Sequence, residues 1–204
     1  MLFRSVRILD GFVAGVNRLL SIDGVEMRSG SVSSGWTKVA VAACPVLLKT
    51  TGKVFLSEAA LKEEVFGPST VLVVCADEDE LLACARALPG SLSGTMFVGS
   101  YDGALLAVLE PIVAGRVGRV VFNGVPTGVE VNAAMVHGGP WPATTWANST
   151  AQGALAMERW CRLVCYQNAP EVVLPEALRN ANPLEIMRDV SGERTNEGVG
   201  AATA

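Results

Sequence analysis

Residues 70–88 read TVLVVCADEDELLACARAL, an apolar strand pattern that passes directly into a helical one. Thr70 to Ala76 is rich in β-branched residues and apolar on both faces, which predicts a central strand of a covered sheet. Asp77 can cap the helix that follows, because its side chain can accept a backbone N–H of the first turn, and Pro89-Gly90 ends that helix. The stretch therefore predicts one strand–helix unit of an α/β domain.

The same alternation continues along the chain with short connections. Gly94 to Val98 and Gly118 to Phe122 predict two further strands, and Asp102 to Ala114 predicts the helix between them. Nearer the N-terminus, apolar residues at helical spacing predict an amphipathic helix over Ser5 to Leu20. Strands that alternate with helices favour a parallel sheet covered on both faces, so the predicted fold class is α/β.

The composition excludes several classes of protein. Half of the 204 residues are hydrophobic and 18% are charged, which is too apolar for a disordered protein. The net charge is −4 and no basic run interleaves with aromatic residues, so nucleic-acid binding has no electrostatic basis. The longest apolar run is far shorter than the roughly 18 residues that a membrane span needs. We expect a soluble, cytoplasmic protein with neither a nucleic-acid nor a membrane partner.

The cysteines and the single histidine argue against disulfides and metal sites. There are five cysteines and no CxxC pair, which favours buried free thiols in a reducing compartment. His137 is the only histidine, and Cys161 and Cys165 have no second pair of ligands, so no metal site is predicted. An organellar transit peptide stays open as an alternative, because Arg4 and Arg7 precede the first acidic residue.

A long irregular stretch, residues 123–150, is dense in glycine and proline and shows no periodicity. Because it is too apolar for a solvated linker, we predict an ordered loop, with Gly138 to Pro142 packed against the carboxyl edge of the parallel strands. Ala151 to Arg162 predicts a further helix. The small and polar residues 191–204 predict a flexible tail.

The sharpest local signal is EEVFGP, residues 63–68, which comes directly before a predicted strand. If this segment is extended, Glu64 and Phe66 point to the same side, because side chains alternate along an extended chain. A carboxylate beside an aromatic ring suits a sugar hydroxyl and a flat ring. The spacing alone also fits a surface glutamate and a core phenylalanine, so both interpretations remain open.

EEVFGP resembles the Glu-Ile-Phe-Gly-Pro motif of the aldehyde dehydrogenase superfamily. Later stretches are similar to one branch of it, the 2-oxoglutarate semialdehyde (2,5-dioxovalerate) dehydrogenases. These stretches are GRVVFNG at 118–124, PTGVEV at 126–131, AMVHGGPWPAT at 134–144, CYQN at 165–168 and LPEALRNANPL at 174–184. The resemblance runs from about Asp10 to Val190 and corresponds to the C-terminal part of the family.

The resemblance implies a fold and a set of site residues. The implied fold is the three-layer α/β/α catalytic domain of the aldehyde dehydrogenases, N-terminally truncated, over residues 1–190, with no Rossmann domain and with a flexible tail over 191–204. The family's glutamate that binds the nicotinamide ribose hydroxyls falls on Glu64, and its phenylalanine near the nicotinamide ring falls on Phe66. The implied cofactor is therefore NAD or NADP. The loop that closes the aldehyde pocket falls on Gly139, Pro140, Trp141 and Pro142, with Trp141 where phenylalanine is more usual.

The family's chemistry also needs groups that this sequence does not show. It uses a cysteine nucleophile in a Gly-Gln-x-Cys segment, a glutamate base and a dinucleotide-binding domain. No Gly-Gln-x-Cys occurs here, so we assign no catalytic residue. The resemblance implies the C-terminal portion of an NAD(P)-dependent dehydrogenase that oxidises a semialdehyde to the acid and is inactive alone.

The alternative is a non-catalytic structural or interaction subunit that reuses this fold. In both cases the high apolar content predicts exposed apolar patches. The expected partners are therefore a second copy of the chain or a complementing N-terminal half, besides a small-molecule aldehyde.

Overall fold

The computed structural model describes residues 5–32, 34–37, 40–100, 102–126, 128 and 131–200. The chain forms two compact units, of which the first ends at Arg159 and the second begins at Trp160. Helices and strands alternate in the first unit, whereas the second consists mainly of turns and one hairpin. Among the described residues, no helix is long and apolar enough to cross a membrane.

The first unit is built around two pairs of parallel strands. Its elements are α1 (Val6–Leu20), β1 (Glu26–Ser29), β2 (Ser34–Thr37), β3 (Ala40–Ala43), β4 (Val46–Thr51), α2 (Gly52–Ser57), β5 (Ser69–Val74), α3 (Glu78–Ala87), β6 (Ser91–Met96), α4 (Gly103–Ala114) and β7 (Val117–Phe122). Strands β4 and β5 run parallel, and β1 pairs antiparallel with the other edge of β4. Strands β6 and β7 form the second parallel pair, and β2 and β3 pair antiparallel.

Helix α1 supplies one side of the core of the first unit. Ser5 caps it, because its Oγ accepts the backbone N–H of Ile8 at 3.4 Å. Side chains spaced three or four residues apart form its buried face: Leu9, Phe12, Val16 and Leu19. They share one apolar cluster with buried residues of β4, α2 and α3, namely Val46, Leu48, Phe55 and Cys84. The predicted amphipathic helix is therefore confirmed.

The predicted strand–helix unit is also confirmed in its local detail. Asp77 caps α3, since its carboxylate accepts the backbone N–H of Glu80 at 2.8 Å. Glu80 in turn accepts the backbone N–H of Ala76 at 2.6 Å, so the turn between β5 and α3 is held from both sides. The next strand, helix and strand of the prediction correspond to β6, α4 and β7.

The position of β5 in the sheet differs from the prediction. Strand β5 was expected to be central, but it lies at the end of the β1–β4–β5 sheet, and within the described residues β6 pairs only with β7. One face of β5 is exposed, including Leu72 and Val74. A cavity of about 750 Å³ is lined by residues 61–64, ahead of β5, and by residues 88–92, where β6 begins. Among the described residues no strand pairing joins β5 to β6, so the two parallel pairs do not form one continuous sheet.

The predicted helix over Ala151 to Arg162 is wrong. Only a 3-10 turn forms, over Ala154–Trp160. Gly153 precedes this turn with a φ of +93°, a left-handed conformation that an α-helix does not admit. The apolar spacing alone does not reveal this break, because an isolated glycine is tolerated inside a helical pattern and the spacing carries no information on its φ.

The second unit contains a hairpin of two short strands, β8 (Arg188–Val190) and β9 (Glu193–Thr195). Strand β9 lies within residues 191–204, the stretch that is expected to form a flexible tail. The turn between the strands is closed by Asp189, whose carboxylate accepts the backbone N–H of Gly192 at 2.8 Å. Residues 201–204 of the predicted tail lie outside the described residues.

The cysteines differ in their surroundings. Cys84 is buried on α3, and its Sγ donates to the carbonyl oxygen of Gly52 at 3.8 Å. Burial and the neighbouring Cys75 raise the pKa of Cys84 to about 11. Three other cysteines, Cys44, Cys161 and Cys165, are exposed, so the prediction of buried thiols is wrong for them.

The raised pKa of Cys84 makes stability depend on pH at the alkaline end. Between pH 9 and about 11 the unfolded thiol ionises while the folded thiol keeps its proton, so the free energy of unfolding should fall as pH rises. Urea unfolding at several pH values measures this slope. We expect a shallower slope for Cys84→Ala and an unchanged slope for Cys161→Ala. Equal slopes in both variants would contradict the prediction.

Candidate functional site

The EEVFGP segment connects a 3-10 turn, Ala59–Lys62, to the start of β5. Within it Val65 packs against the core cluster, whereas Glu64 and Phe66 on either side are exposed. Phe66 is 64% exposed, so the core position that its spacing also allowed is not the one it takes. Both Glu64 and Phe66 line a cavity of about 510 Å³. Both predicted site residues therefore border the same cavity, together with Glu63 and Val65 of the segment.

The two adjacent glutamates of the segment are in different electrostatic situations. The carboxylate of Glu63 accepts from Nη1 of Arg18 at 2.6 Å, in an ion pair that is half exposed. Glu64 has no hydrogen bond or ion pair to any of the described residues. Its carboxylate is the one that a ligand in the cavity can reach with its hydrogen-bond donors.

The glycine-rich loop around His137 is held by a set of short hydrogen bonds. The backbone N–H of His137 donates to Oγ1 of Thr150 at 2.8 Å, and the backbone N–H of Ala151 donates to the carbonyl oxygen of His137 at 2.9 Å. Oγ1 of Thr144 donates to the carbonyl oxygen of Gly139 at 2.8 Å. Gly138 and Gly139 are buried, whereas Trp141 is 74% exposed. The base of the loop is therefore fixed and its aromatic tip is not covered by the first unit.

This loop packs at the opposite edge from the one predicted. It lies against the amino ends of β6 and β7: a Cβ on Gly139 would come within 2.5 Å of the carbonyl oxygen of Ser91, and one on Gly118 would meet the carbonyl oxygen of Gly138. The carboxyl ends of the two strands are closed by Asn123, whose Oδ1 accepts the backbone N–H of Val98 at 2.7 Å. The expected contact with the carboxyl edge is therefore wrong.

The chain returns from β7 along its own strand pair, which explains this outcome. Asn123 has a φ of +49°, a left-handed conformation that turns the chain. Nη1 of Arg119 then donates to the carbonyl oxygen of Gly128 at 3.0 Å, so the returning segment follows β7 backwards. Thr127, Val129 and Glu130 of the quoted motifs lie outside the described residues.

A second cavity joins the two predicted parts of the site. The cavity of about 750 Å³ is lined on one side by Glu64 and on the other by Pro142. The start of β6, including Pro89 and Ser91, lines it as well and was missed in the sequence. Gly139, Pro140 and Trp141 do not line it, although they belong to the same loop. The available signal was Pro89-Gly90, which was interpreted only as the end of a helix.

Two curated relatives match the chain over most of its length. Alpha-ketoglutaric semialdehyde dehydrogenase 2 of Azospirillum brasilense is 41% identical over 182 residues, which are 89% of this chain and 34% of the relative. The alpha-ketoglutaric semialdehyde dehydrogenase of Acinetobacter baylyi is 39% identical over 189 residues, which are 92% of this chain and 35% of the relative. Over most of its length the chain is similar in sequence to aldehyde dehydrogenases. It spans about a third of the length of these relatives.

Solved structures of aldehyde dehydrogenases share the fold. Gamma-glutamyl-gamma-aminobutyraldehyde dehydrogenase from Burkholderia cenocepacia matches with a TM-score of 0.61 at 16% identity, over 78% of this chain and 29% of the other. Betaine aldehyde dehydrogenase from Staphylococcus aureus in complex with NAD+ matches with a TM-score of 0.55 at 17% identity, over 76% and 29% of the two chains. No protein-family model matches the chain. The predicted α/β fold of the aldehyde dehydrogenases is confirmed.

The side chains of the EEVFGP segment fit one end of a nicotinamide dinucleotide. An unpaired carboxylate, Glu64, can accept from both hydroxyls of a ribose, because a carboxylate has two oxygens with free lone pairs. The exposed ring of Phe66 offers a flat apolar surface two residues away. Among the described residues, no group of three or more His, Cys, Asp or Glu side chains could hold a metal ion.

The glycine contacts at the base of the loop can be tested by substitution. Gly118→Ala places a Cβ against the carbonyl oxygen of Gly138, so the loop has to shift. We expect faster amide hydrogen exchange over residues 137–143 and a free energy of unfolding lower by about 1–3 kcal/mol, as for other overpacked contacts. Gly128→Ala is the matched control, since a Cβ there meets nothing within 4 Å. Equal exchange in the two variants would show that this contact does not hold the loop.

Proposed function

We propose that the chain is the C-terminal portion of an NAD(P)-dependent dehydrogenase that oxidises a semialdehyde of the 2-oxoglutarate semialdehyde type to the acid. In this proposal the chain binds the nicotinamide ribose and forms part of the aldehyde pocket. One observation carries it: Glu64 has an available carboxylate on a cavity whose opposite wall holds Pro142 of the glycine-rich loop. A relative that is 41% identical is an alpha-ketoglutaric semialdehyde dehydrogenase, which supports the choice of substrate.

The chemistry divides between this chain and groups outside it. NAD or NADP, when bound, accepts the hydride from the substrate. Glu64 binds the ribose hydroxyls and thereby fixes the position of the attached ring, while Phe66 offers its face to that ring and excludes water from it. The glycine-rich loop reaches this cavity at Pro142, which limits the space that is left for the aldehyde.

The nucleophile is the part of the reaction that the described residues do not provide. No cysteine or histidine lines any of the three cavities that Glu64 borders. The buried Cys84 is kept protonated by its raised pKa of about 11, and a thiol is a far weaker nucleophile than a thiolate. We infer that the reacting thiolate and the base come from a part of the enzyme outside these 204 residues.

Exposed apolar surface on the first unit supports the inference that a further portion of the enzyme packs against this chain. The outer face of β5 exposes Leu72 and Val74. Helix α4 is apolar along most of its length, yet no residue of it is buried. Surfaces of this kind are usually covered by another layer of protein. In the proposed enzyme the complementing portion or a second copy of the chain covers them.

The isolated chain is expected to show no aldehyde-dependent formation of NADH or NADPH. The reason is that its own residues bring no thiolate to the Glu64 cavity. The measurement is the absorbance of the reduced cofactor with 2-oxoglutarate semialdehyde and NAD+ or NADP+. Turnover above background that one Cys→Ala substitution abolishes would overturn the proposal that the nucleophile comes from elsewhere.

The role of Glu64 is tested in a complete enzyme. We would replace the matching stretch of the Azospirillum brasilense relative by this chain and compare Glu64→Gln with the parent chimera. Loss of hydrogen bonds from the ribose to a carboxylate should weaken transition-state stabilisation by about 1.5–3 kcal/mol, seen in kcat/KM for the cofactor. Glu78→Gln makes the same chemical change at an exposed site on α3 and should have no effect.

The kinetics of Glu64→Gln and of the parent chimera also distinguish the proposed dehydrogenase from a non-catalytic interaction subunit. If Glu64→Gln leaves the kinetics unchanged, Glu64 is a surface carboxylate and the proposed role is wrong. If the chimera folds but has no activity at all, the non-catalytic interaction subunit becomes the better interpretation.

A further inference from the structure

Every second residue of the segment that carries Glu64 and Phe66 contacts helix α1. The carboxylate of Glu63 pairs with Arg18 at 2.6 Å. Val65 packs on Gly15, where the helix has no side chain. Gly67 is covered by the ring of Phe12, and a Cβ at this position would overlap that ring. The segment therefore lies along the helix with its odd-numbered residues turned inward.

The contacts follow one face of the helix in a regular register. As the segment advances by two residues at a time, its contacts on α1 step back by three, from Arg18 to Gly15 to Phe12. Residues three apart lie on the same helix face, and alternate residues of an extended chain lie on the same side. The odd-numbered residues make the close contacts, and Glu64 and Phe66 between them line a cavity of about 330 Å³ whose other wall is α1, at Gly11 and Gly15.

Gly15 is the central contact of this register. A Cβ at Gly15 would lie 2.8 Å from Cγ1 and 3.2 Å from Cγ2 of Val65, which is closer than van der Waals contact allows. The helix itself cannot easily retreat, because Leu9, Val16 and Leu19 hold it in the core. A larger residue at Gly15 therefore moves Val65, and with it the flanking Glu64 and Phe66.

We propose that α1 is the template that aligns Glu64 and Phe66 with the cofactor, and that Gly15 is a positioning residue of the enzyme. The inference rests on the proposed function for what Glu64 and Phe66 bind. The ion pair of Arg18 with Glu63 is half exposed and so contributes little to stability, but it fixes the register at the end nearest Glu64.

The test compares two glycines of the same helix. Gly15→Ala pushes on Val65, whereas Gly11→Ala places its Cβ where nothing lies within 4 Å. Both variants exchange glycine for a better helix former, so their effects on α1 itself are matched. In the full 204-residue chain we expect faster amide hydrogen exchange over residues 63–67 in Gly15→Ala alone.

In the chimeric enzyme the same pair should differ in kinetics. A misplacement of about 1 Å at a reacting site can cost about 100-fold in rate. We therefore expect Gly15→Ala to lower kcat/KM for NAD(P)+ by about 10- to 100-fold, with the KM for the aldehyde unchanged. Gly11→Ala should match the parent in both parameters.

A compensating variant shows whether the effect passes through Val65. Val65→Ala removes both Cγ atoms, so adding it to Gly15→Ala should restore the exchange pattern and most of the cofactor kinetics. If Gly15→Ala does not fold, Val65→Ala alone is measured instead, and unchanged exchange over residues 63–67 then overturns the inference. It is also overturned if Gly15→Ala behaves like Gly11→Ala, or if Val65→Ala brings no rescue.

The Glu64→Gln variant separates this inference from the proposed function. If Glu64→Gln slows the chimera and Gly15→Ala does not, the alignment by α1 is wrong and the role of Glu64 stands. If Glu64→Gln has no effect, the proposed role of Glu64 is wrong, and the exchange data still decide whether α1 fixes the segment.

Discussion

The contact of the Phe12 ring with the backbone of Gly67 is the constraint on which the rest of the first unit depends. Phe12 is buried, and its ring lies directly against the backbone of Gly67. A side chain at position 67 would overlap the ring, so this close contact requires a glycine. Directly after this point, the backbone N–H of Val46 donates to the carbonyl oxygen of Pro68 at 2.8 Å and starts the β4–β5 ladder. One close contact thus sets the helix, the site segment and the sheet relative to each other.

Local chemistry made some elements predictable from the sequence. The cap of α3 by Asp77 and the amphipathic face of α1 each depend on residues within a few positions of one another. The expectation that Glu64 and Phe66 share one side came in the same way from the alternation of an extended chain, and the structure shows that both are exposed and border one cavity. The family motifs added the roles that these two residues are expected to have, which no spacing could supply.

Other features depended on contacts between distant parts of the chain and were not predictable. The edge at which the glycine-rich loop packs is decided by Gly118 and Ser91 at the starts of two strands. The position of β5 at the end of its sheet depends on which strands pair with it, and among the described residues only β4 does. The helix expected after residue 150 failed because the φ of Gly153 is a property of its surroundings, which the sequence pattern does not contain.

The glycine contacts at the base of the loop bear on how this sequence can evolve. A side chain at Gly118 would meet the backbone of Gly138, and a side chain at Gly138 would meet the carbonyl oxygen of Ser149, so either substitution forces the backbone of the loop base to move. Trp141 lies only a few residues away, but its side chain is largely exposed and takes no part in these contacts. Single substitutions at the tip of the loop therefore meet no packed neighbour, whereas single substitutions at its glycine base create overlaps with the backbone. Variation in the surface that the loop presents is therefore expected at the tip.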